Sequence, residues 1–354
     1  LVMIIKNIFL LTVSIISLFI FVFSNTDSSS DENNIKYYSK DEGVLSLMYH
    51  RFNESKYPTT NIQLEIFKKQ IQIIQNSNYN FHNPDNFLKQ FNIPKQKKEI
   101  LITIDDAFQS FYVEAWPYFK KNKIPFILFV STEPVGKRGY MTWDQIREIE
   151  TEKFAFIGHH SHSHGYLIDD TNDQFINDIK KANKIFLKEL GYIPVLFSYP
   201  FGEYSKFMRD YISKNFDFAF GQHSGVIDVN KDKFELPRFP INENYGNLKR
   251  FKSIIDSFPL EYKKLLPYEK KLTNENNPPR FKVEFFKDQK NIQNINCYSN
   301  ENNEWEKSKT TLSNQILIIK FRGPFKPRRG RINCSLNDDG KWRWFGIQFP
   351  IKEN

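Results

Sequence analysis

The sequence predicts an α/β protein: a distorted (β/α)7-like barrel followed by a small C-terminal antiparallel β-domain. Three observations carry this. Short β-branched or aromatic runs alternate with helical patterns from Gly43 to about residue 258, which implies parallel strands joined by crossovers. The number of such runs and their span favour a barrel-like closure of fewer than eight units. After Pro259 the pattern changes to alternating apolar and polar positions between turn clusters, the signature of antiparallel strands.

The elements follow in order. "VLSLMYH" (44–50) reads as a buried strand, and Leu64, Phe67, Ile71 and Ile74 then recur at helical spacing. "EILITIDD" (99–106) is a second strand, followed by an aromatic-rich helical stretch over 107–121. "PFILFVST" (125–132), "KFAFIGHH" (153–160), "VLFSYPFG" (195–202), "FDFAFGQ" (216–222) and a short "FELPRFPI" (234–241) supply five more strands. Helices are expected at 143–150, at 172–190 with Gly191 as the stop, from 203 to about 215, and at 246–258. Residues 259–280 form a charged, Pro- and Asn-rich connector to the β-domain at 281–354. In a barrel of this kind the C-terminal strand ends converge on the face that holds the active site. His50, Asp105 with Asp106, His160 and Pro200 all fall at such ends.

The amino-terminal residues address location. Lys6 and Asn7 precede an apolar run from Ile8 to Phe23 and then a polar stretch, the profile of a secretory signal over 1–24 with a polar linker over 25–43. The run is short for a membrane span of about 20 residues, with an uncleaved anchor through residues 4–23 as the alternative. Either way the functional part is expected outside the cytoplasm, secreted or in the cell envelope. Cys297 and Cys334 are the two cysteines, and in an oxidising compartment such a pair is expected to be bridged. That closure would contribute roughly 3 to 4 kcal/mol on the chain-entropy model. The formal charge of +9 is compatible with a negative neighbour, a membrane surface or an acidic polysaccharide. It is spread over many lysines, as on an ordinary solvated surface. Nucleic acid is disfavoured as a partner, because the chain is expected to be exported and shows no basic–aromatic recognition module.

Four of the seven histidines lie in "IGHHSHSH" (157–164). A histidine-rich patch, a chance cluster in a turn and a metal site are the three readings. "TIDD" (103–106) places adjacent carboxylates where a strand becomes a loop; Asp106 could equally cap the following helix. One carboxylate and two imidazoles would make a three-ligand divalent site with positions left open for water. Spacing alone leaves open whether His160 pairs with His164 or with His162.

With these motifs in view, the chain resembles the NodB-type polysaccharide deacetylases of carbohydrate esterase family four, over about residues 44–258. The family's T-F-D-D motif is matched by Thr103, Ile104, Asp105 and Asp106; its H-S/T-x-x-H motif by His160, Ser161 and His164; and its third turn motif by Ser198, Tyr199, Pro200, Phe201 and Gly202. "YMTWDQIREI" (140–149) and "LMYHRF" (47–52) resemble the branch that deacetylates poly-N-acetylglucosamine and related exported glycans. The resemblance implies that Asp105 is the general base and that Asp106, His160 and His164 hold a divalent metal. Zinc is expected, although cobalt and nickel suit the same ligands. A backbone N–H near Phe201 would join the metal in stabilising the oxyanion.

Two departures follow. The arginine of the third motif is Ser198 here, and Arg238 in "LPRFP" is the substitute expected to orient the base. The customary late-strand histidine acid is missing, so His50 is the candidate acid, with His223 as its rival. Trp143, Tyr199 and Phe201 are candidates to line a sugar cleft, or else belong to the core. The expected function is removal of N-acetyl groups from a glycan. The rival readings are a glycan-binding protein without activity, with the C-terminal β-domain as its binding unit, and a closed, four-coordinate structural metal site.

Overall fold

Strand β1 (Val44–Tyr49) is buried at all six positions and pairs in parallel with β2 (Glu99–Asp105), Val44 opposite Glu99 and Tyr49 opposite Ile104. They begin a ring of parallel strands: β3 (Phe126–Val130), β4 (Ala155–His159), β5 (Leu196–Ser198), β6 (Phe218–Phe220) and β7 (Phe239–Pro240). The order is β7-β1-β2-β3-β4-β5-β6. The seam between β6 and β7 is held by a parallel bridge from Phe220 to Leu236, with Gly221 N–H donating to Leu236 O and Leu236 N–H to Ala219 O, both at 2.9 Å. This is the distorted seven-unit barrel expected from the sequence. These features come from a computed structural model describing residues 39–352, which form a single compact unit. The expected signal or anchor at 1–24 and most of the linker at 25–43 lie outside the described residues. Among the described residues no helix is long and apolar enough to cross a membrane.

The late strands are shorter than the sequence suggested, two or three residues each. Pro200 and Pro240 have no N–H to give to a ladder, so strand pairing stops beside them. This shortening is the distortion of the barrel.

The helices carry the expected stripes. In α1 (Leu64–Gln75), Phe67, Ile71 and Ile74 are buried, each contributing roughly 1.5–3 kcal/mol by leaving water. Then come α2 (Asp85–Gln90), α3 (Trp116–Asn122), α4 (Trp143–Glu150), α5 (Asn172–Leu190), α6 (Lys206–Ile212) and α7 (Leu248–Ile255). Both α4 and α5 open with a reciprocal capping box, Thr142 with Gln145 and Thr171 with Gln174. Gly191 ends α5 at φ 81°, a conformation open to glycine at little cost. The single helix expected over 107–121 is instead a loop, a π-turn at Phe111–Ala115 and then α3. Asp106 (φ 75°) and Ala107 (φ 53°) are both left-handed, which turns the chain away from helix at that point. Asp106 therefore caps no helix.

The last third of the chain forms two sheets around their own apolar core. One has the order β8-β16-β15-β11-β12, from β8 (Phe258–Pro259), β11 (Asn296–Ser299), β12 (Glu306–Lys307), β15 (Arg329–Asp338) and β16 (Lys341–Pro350). The other runs β9-β10-β14-β13, from β9 (Lys264–Leu266), β10 (Lys282–Glu284), β13 (Lys309–Ser313) and β14 (Ile316–Lys320). Their shared core includes Leu260, Val283, Leu317, Ile332, Phe345 and Phe349. Cys297 and Cys334 face each other across β11 and β15 and are joined by a disulfide within that core.

Candidate active site

Two strand ends supply most of the polar chemistry. Asp105 is the last residue of β2, and the left-handed turn at Asp106 and Ala107 swings the second carboxylate into the same cavity. On a regular strand, adjacent side chains would point to opposite faces. At the end of β4 alternation sorts the histidines. His159 points into the core against Phe186, Phe197 and Phe216, fully buried, and burial followed by the charge of His160 pushes its pKa down to about 3. His160 points the other way: its Nδ1–H donates to Ser198 O at 2.7 Å, which fixes the tautomer and leaves the Nε2 lone pair facing the carboxylates.

Beyond β4 the chain loops through left-handed Ser161 (φ 68°) and His164 (φ 53°). Asp178, on α5, accepts the N–H groups of His162 and Ser163 at 2.7 and 3.0 Å and holds this loop. His162 turns aside to Thr132 Oγ1, 2.8 Å away. His164 returns to the site with Nε2 2.9 Å from Asp106 Oδ1, while His160 Nε2 lies 3.4 Å from the same oxygen. The loop thus brings His164, and not His162, to Asp106. One atom each from Asp106, His160 and His164 lie within 4.8 Å of one another.

These residues fit a divalent cation. Asp106 Oδ1 and His160 Nε2 are buried without a hydrogen-bond partner of acceptable geometry, although His164 Nε2 is close to that oxygen. Orphaned buried polar atoms are costly, and a cation would satisfy them. The donor set of two imidazoles and one carboxylate leaves coordination positions free.

Asp105 has a different partner. Arg238, wholly buried, reaches across from the segment entering β7 and grips the carboxylate with two hydrogen bonds, Nη1 to Oδ1 at 2.7 Å and Nη2 to Oδ2 at 2.9 Å. Its other donors go to Gly221 O, Thr103 Oγ1 and Ser198 Oγ, so all five guanidinium N–H groups are used. Ser198, which occupies the position of the missing motif arginine, is therefore a hydrogen-bond acceptor for the arginine that came from elsewhere. Burial raises the pKa of Asp105, but the charges of Arg238, His160 and His50 outweigh it and hold the carboxyl below its ordinary value.

Both acid candidates border a cleft of about 590 Å³ that also contains Asp106 and His164. Burial lowers the pKa of His50, with Asp105 and Asp106 pulling it back up in part. His223 is pushed down to about 3 by burial and then by Lys270 and Lys231. Phe201 lines the cleft from a left-handed backbone (φ 58°), its ring stacked on Tyr166 and edge-on to His164.

Two sequence candidates for the sugar cleft go elsewhere. Tyr199 is fully buried between Phe197 and Tyr204, because it starts the tight turn at Pro200 facing the inner layer. Trp143, the first residue of α4, packs its ring against Phe186 in the main core. Conversely, the cleft has residues that the sequence did not single out. Arg329, Arg331 and Trp344 come from the C-terminal sheets, Trp305 from the turn just before β12, and Gln348 Nε2 donates to Phe201 O at 3.0 Å. Strand alternation was the sole signal of those on strands, and it reports burial without saying against what.

Known proteins bear on this arrangement. A sequence profile described as polysaccharide deacetylase matches residues 92–217. Poly-beta-1,6-N-acetyl-D-glucosamine N-deacetylase of Staphylococcus aureus is 23% identical over 250 residues, covering 62% of this chain and 85% of that protein. Among solved structures, the deacetylase PplD of Streptococcus pyogenes superimposes with a TM-score of 0.55 at 21% identity, covering 60% of this chain and 98% of that one. IcaB from Ammonifex degensii gives 0.53 at 23%, covering 60% and 97%. At such identities the structural likenesses speak for the fold alone. Taken with the paired aspartates and the two histidines at the strand ends, the profile and the curated relative mark residues 92–217 as a polysaccharide deacetylase domain of NodB type.

Proposed function

We propose that the protein is a metal-dependent hydrolase that removes N-acetyl groups from an N-acetylglucosamine polymer of the cell envelope or an exported glycan. The observation that carries this reading is the buried Arg238–Asp105 pair beside the three convergent atoms of Asp106, His160 and His164. Such a pairing keeps a carboxylate ionised and oriented, which a general base requires, next to a cation site with free positions.

In this reading Asp106, His160 and His164 hold the metal, most simply Zn2+, with Co2+ or Ni2+ compatible with the same ligands. When bound, the cation supplies Lewis-acid activation of water and of the acetamide carbonyl. Asp105 accepts the proton of the attacking water, and Arg238 keeps it oriented and deprotonated until then. His50 donates a proton to the departing amine, a step worth typically about 10²–10⁴-fold. The backbone N–H of Phe201, in the turn that Gln348 pins, is the candidate oxyanion donor. Export is supported by the signal profile of residues 1–24 and by the Cys297–Cys334 disulfide, which suits an oxidising compartment; the N-terminal segment is also the candidate contact with a membrane surface.

The binding-only alternative drew on Ser198 standing where the family has arginine, and Arg238 answers that objection. A closed structural site would need a fourth protein ligand, and the cluster among the described residues has three. The test is acetate release from poly-β-1,6-N-acetylglucosamine oligomers by the wild type and by Asp105→Asn. Wild-type release that Asp105→Asn abolishes supports the reading; no release from any N-acetylated glycan with metal supplied overturns it.

A further inference from the structure

The cleft wall supplied by the C-terminal sheets is cationic. Arg329 and Arg331 lie on β15, and Arg250 on α7 borders the same cleft. Arg329 is neutralised by Glu203, at 2.7 Å. The other two are not: among the described residues no carboxylate lies within ion-pair distance of Arg331 or Arg250. Arg331 makes one long hydrogen bond, Nε to Gln348 Oε1 at 3.5 Å. Arg250 donates to Tyr245 O and stands 5.1 Å over the Tyr245 ring. Of the described residues lining the cleft, Asp106 is the one carboxylate, and it belongs to the cation site.

Burying a guanidinium without a counter-charge is unfavourable. Burial followed by the charge of Arg329 lowers the pKa of Arg331, and burial lowers that of Arg250. Both guanidinium groups are half-buried and lack a counter-charge among the described residues, and an anion in the cleft would supply one. A guanidinium fork suits carboxylate or phosphate oxygens, which it can bind two at a time. The position is close to the chemistry, since Gln348 joins Arg331 to Phe201, whose ring touches His164. Trp305 and Tyr245, each 45% exposed and lining the same cleft, offer flat apolar faces for sugar rings.

We propose that this cleft accepts an acidic glycan, with Arg331 and Arg250 receiving an anionic group, carboxylate or phosphate, carried near the N-acetylated sugar that reacts. The reaction part of this statement rests on the deacetylase reading; the anion site does not.

The experiment is calorimetric titration of the full chain with three N-acetylglucosamine oligomers of equal length: neutral, carrying a carboxylate ether on a neighbouring sugar, and carrying a phosphate ester there. The expected result is at least tenfold tighter binding of one anionic oligomer, about 1.4 kcal/mol, with a preference that shrinks as salt rises. The anion preferred tells carboxylate from phosphate. Arg331→Met and Arg250→Gln should each cut that preference by threefold or more. They sit on a strand and on a helix respectively, so one stands if the other fails to fold. Equal binding of the three oligomers, or an undiminished preference in the folded variants, overturns the proposal. Acetate release measured on the same oligomers separates the two readings. Release without anion preference sinks the acidic-glycan inference alone, and anion preference without release from any oligomer sinks the deacetylase reading alone.

Discussion

Replacing Arg238 with methionine removes the guanidinium packed on Asp105 while keeping much of the side-chain volume. Five hydrogen bonds go with it, two of them to the carboxylate. Both partners are wholly buried, and deleting one member of a buried ion pair costs about 3–5 kcal/mol. The sign of the pH effect follows from the same contacts. Burial raises the pKa of Asp105 and Arg238 is the largest influence lowering it. The wild-type carboxyl therefore titrates below its unfolded value, and its stabilising contribution is present above that value and lost as pH falls through the folded one. In Arg238→Met burial is opposed less, so the carboxyl holds its proton to higher pH. The stability gap between variant and wild type should be wide at pH 7 and narrow in acid. The acidic limb of kcat/KM should move to higher pH, because the base is then protonated over more of the range. Arg238→Lys should fall between the two, keeping charge but not the two-pronged fit. Adding Ser198→Arg to Arg238→Met places an arginine at the family's own position, next to the vacated space, and should recover part of the activity. Denaturant titrations and pH–rate profiles read both effects. A stability loss below about 1 kcal/mol, outside the range for broken buried pairs, together with an unmoved acidic limb, would refute the account of Arg238.

Three further expectations follow from the geometry. Asp106→Ala, His160→Ala and His164→Ala should each lose bound divalent cation by elemental analysis, whereas His162→Ala should keep it; His159→Ala should keep it too but lose about 3 kcal/mol or more of stability, as an aromatic ring leaves a packed core. If His162→Ala empties the site and His164→Ala does not, the ligand assignment is wrong. His50→Ala should retain metal and lower turnover by about 10²–10⁴-fold, while His223→Ala leaves turnover near wild type; the opposite pattern would move the acid to the later strand. Glu261, fully buried, is pushed up to about 7 by burial and then by Asp228. A raised carboxyl favours the fold at low pH and loses that benefit as pH rises between its unfolded value and about 7. Melting temperature should accordingly fall across that window, and Glu261→Gln should flatten the fall; a slope unchanged in the variant would show that another group sets it.

Much of the barrel was legible because each early strand is a continuous apolar run, and such runs report burial on both faces. The strands read at 195–202 and 234–241 were over-read for a local reason: Pro200 and Pro240 interrupt hydrogen bonding without interrupting hydrophobicity. The π-turn at Phe111–Ala115 was invisible because its aromatic spacing is compatible with a helix, and the left-handed pair Asp106–Ala107 has no glycine to announce it. At the site, motif spacing brought His160 and His164 to notice, while the loop held by Asp178 brings His164, and not His162, to Asp106. Arg238 could be named from its place at a strand end, but its grip on both Asp105 and Ser198 depends on the seam between β6 and β7. Tyr199 and Trp143 stayed open between cleft and core because an aromatic next to a motif looks the same whether it faces sugar or core. The sequence offered the C-terminal β-domain as a binding unit only in the inactive alternative, and which of its residues reach the cleft could not be read. Which face of a strand meets another part of the chain is a tertiary fact, and Gln348 and Arg331 carry it.

The account's central claim is that Asp106, His160 and His164 hold a catalytic cation beside a base kept ionised by Arg238. Its most direct measurement is acetate released from an N-acetylglucosamine oligomer by protein stripped of metal and then titrated with Zn2+, Co2+ or Ni2+. The account predicts no release from stripped protein, a linear rise with added metal that levels off at one equivalent per chain, and no recovery in His164→Ala. Full release by the stripped protein, or a titration that His164→Ala follows as the wild type does, would contradict it.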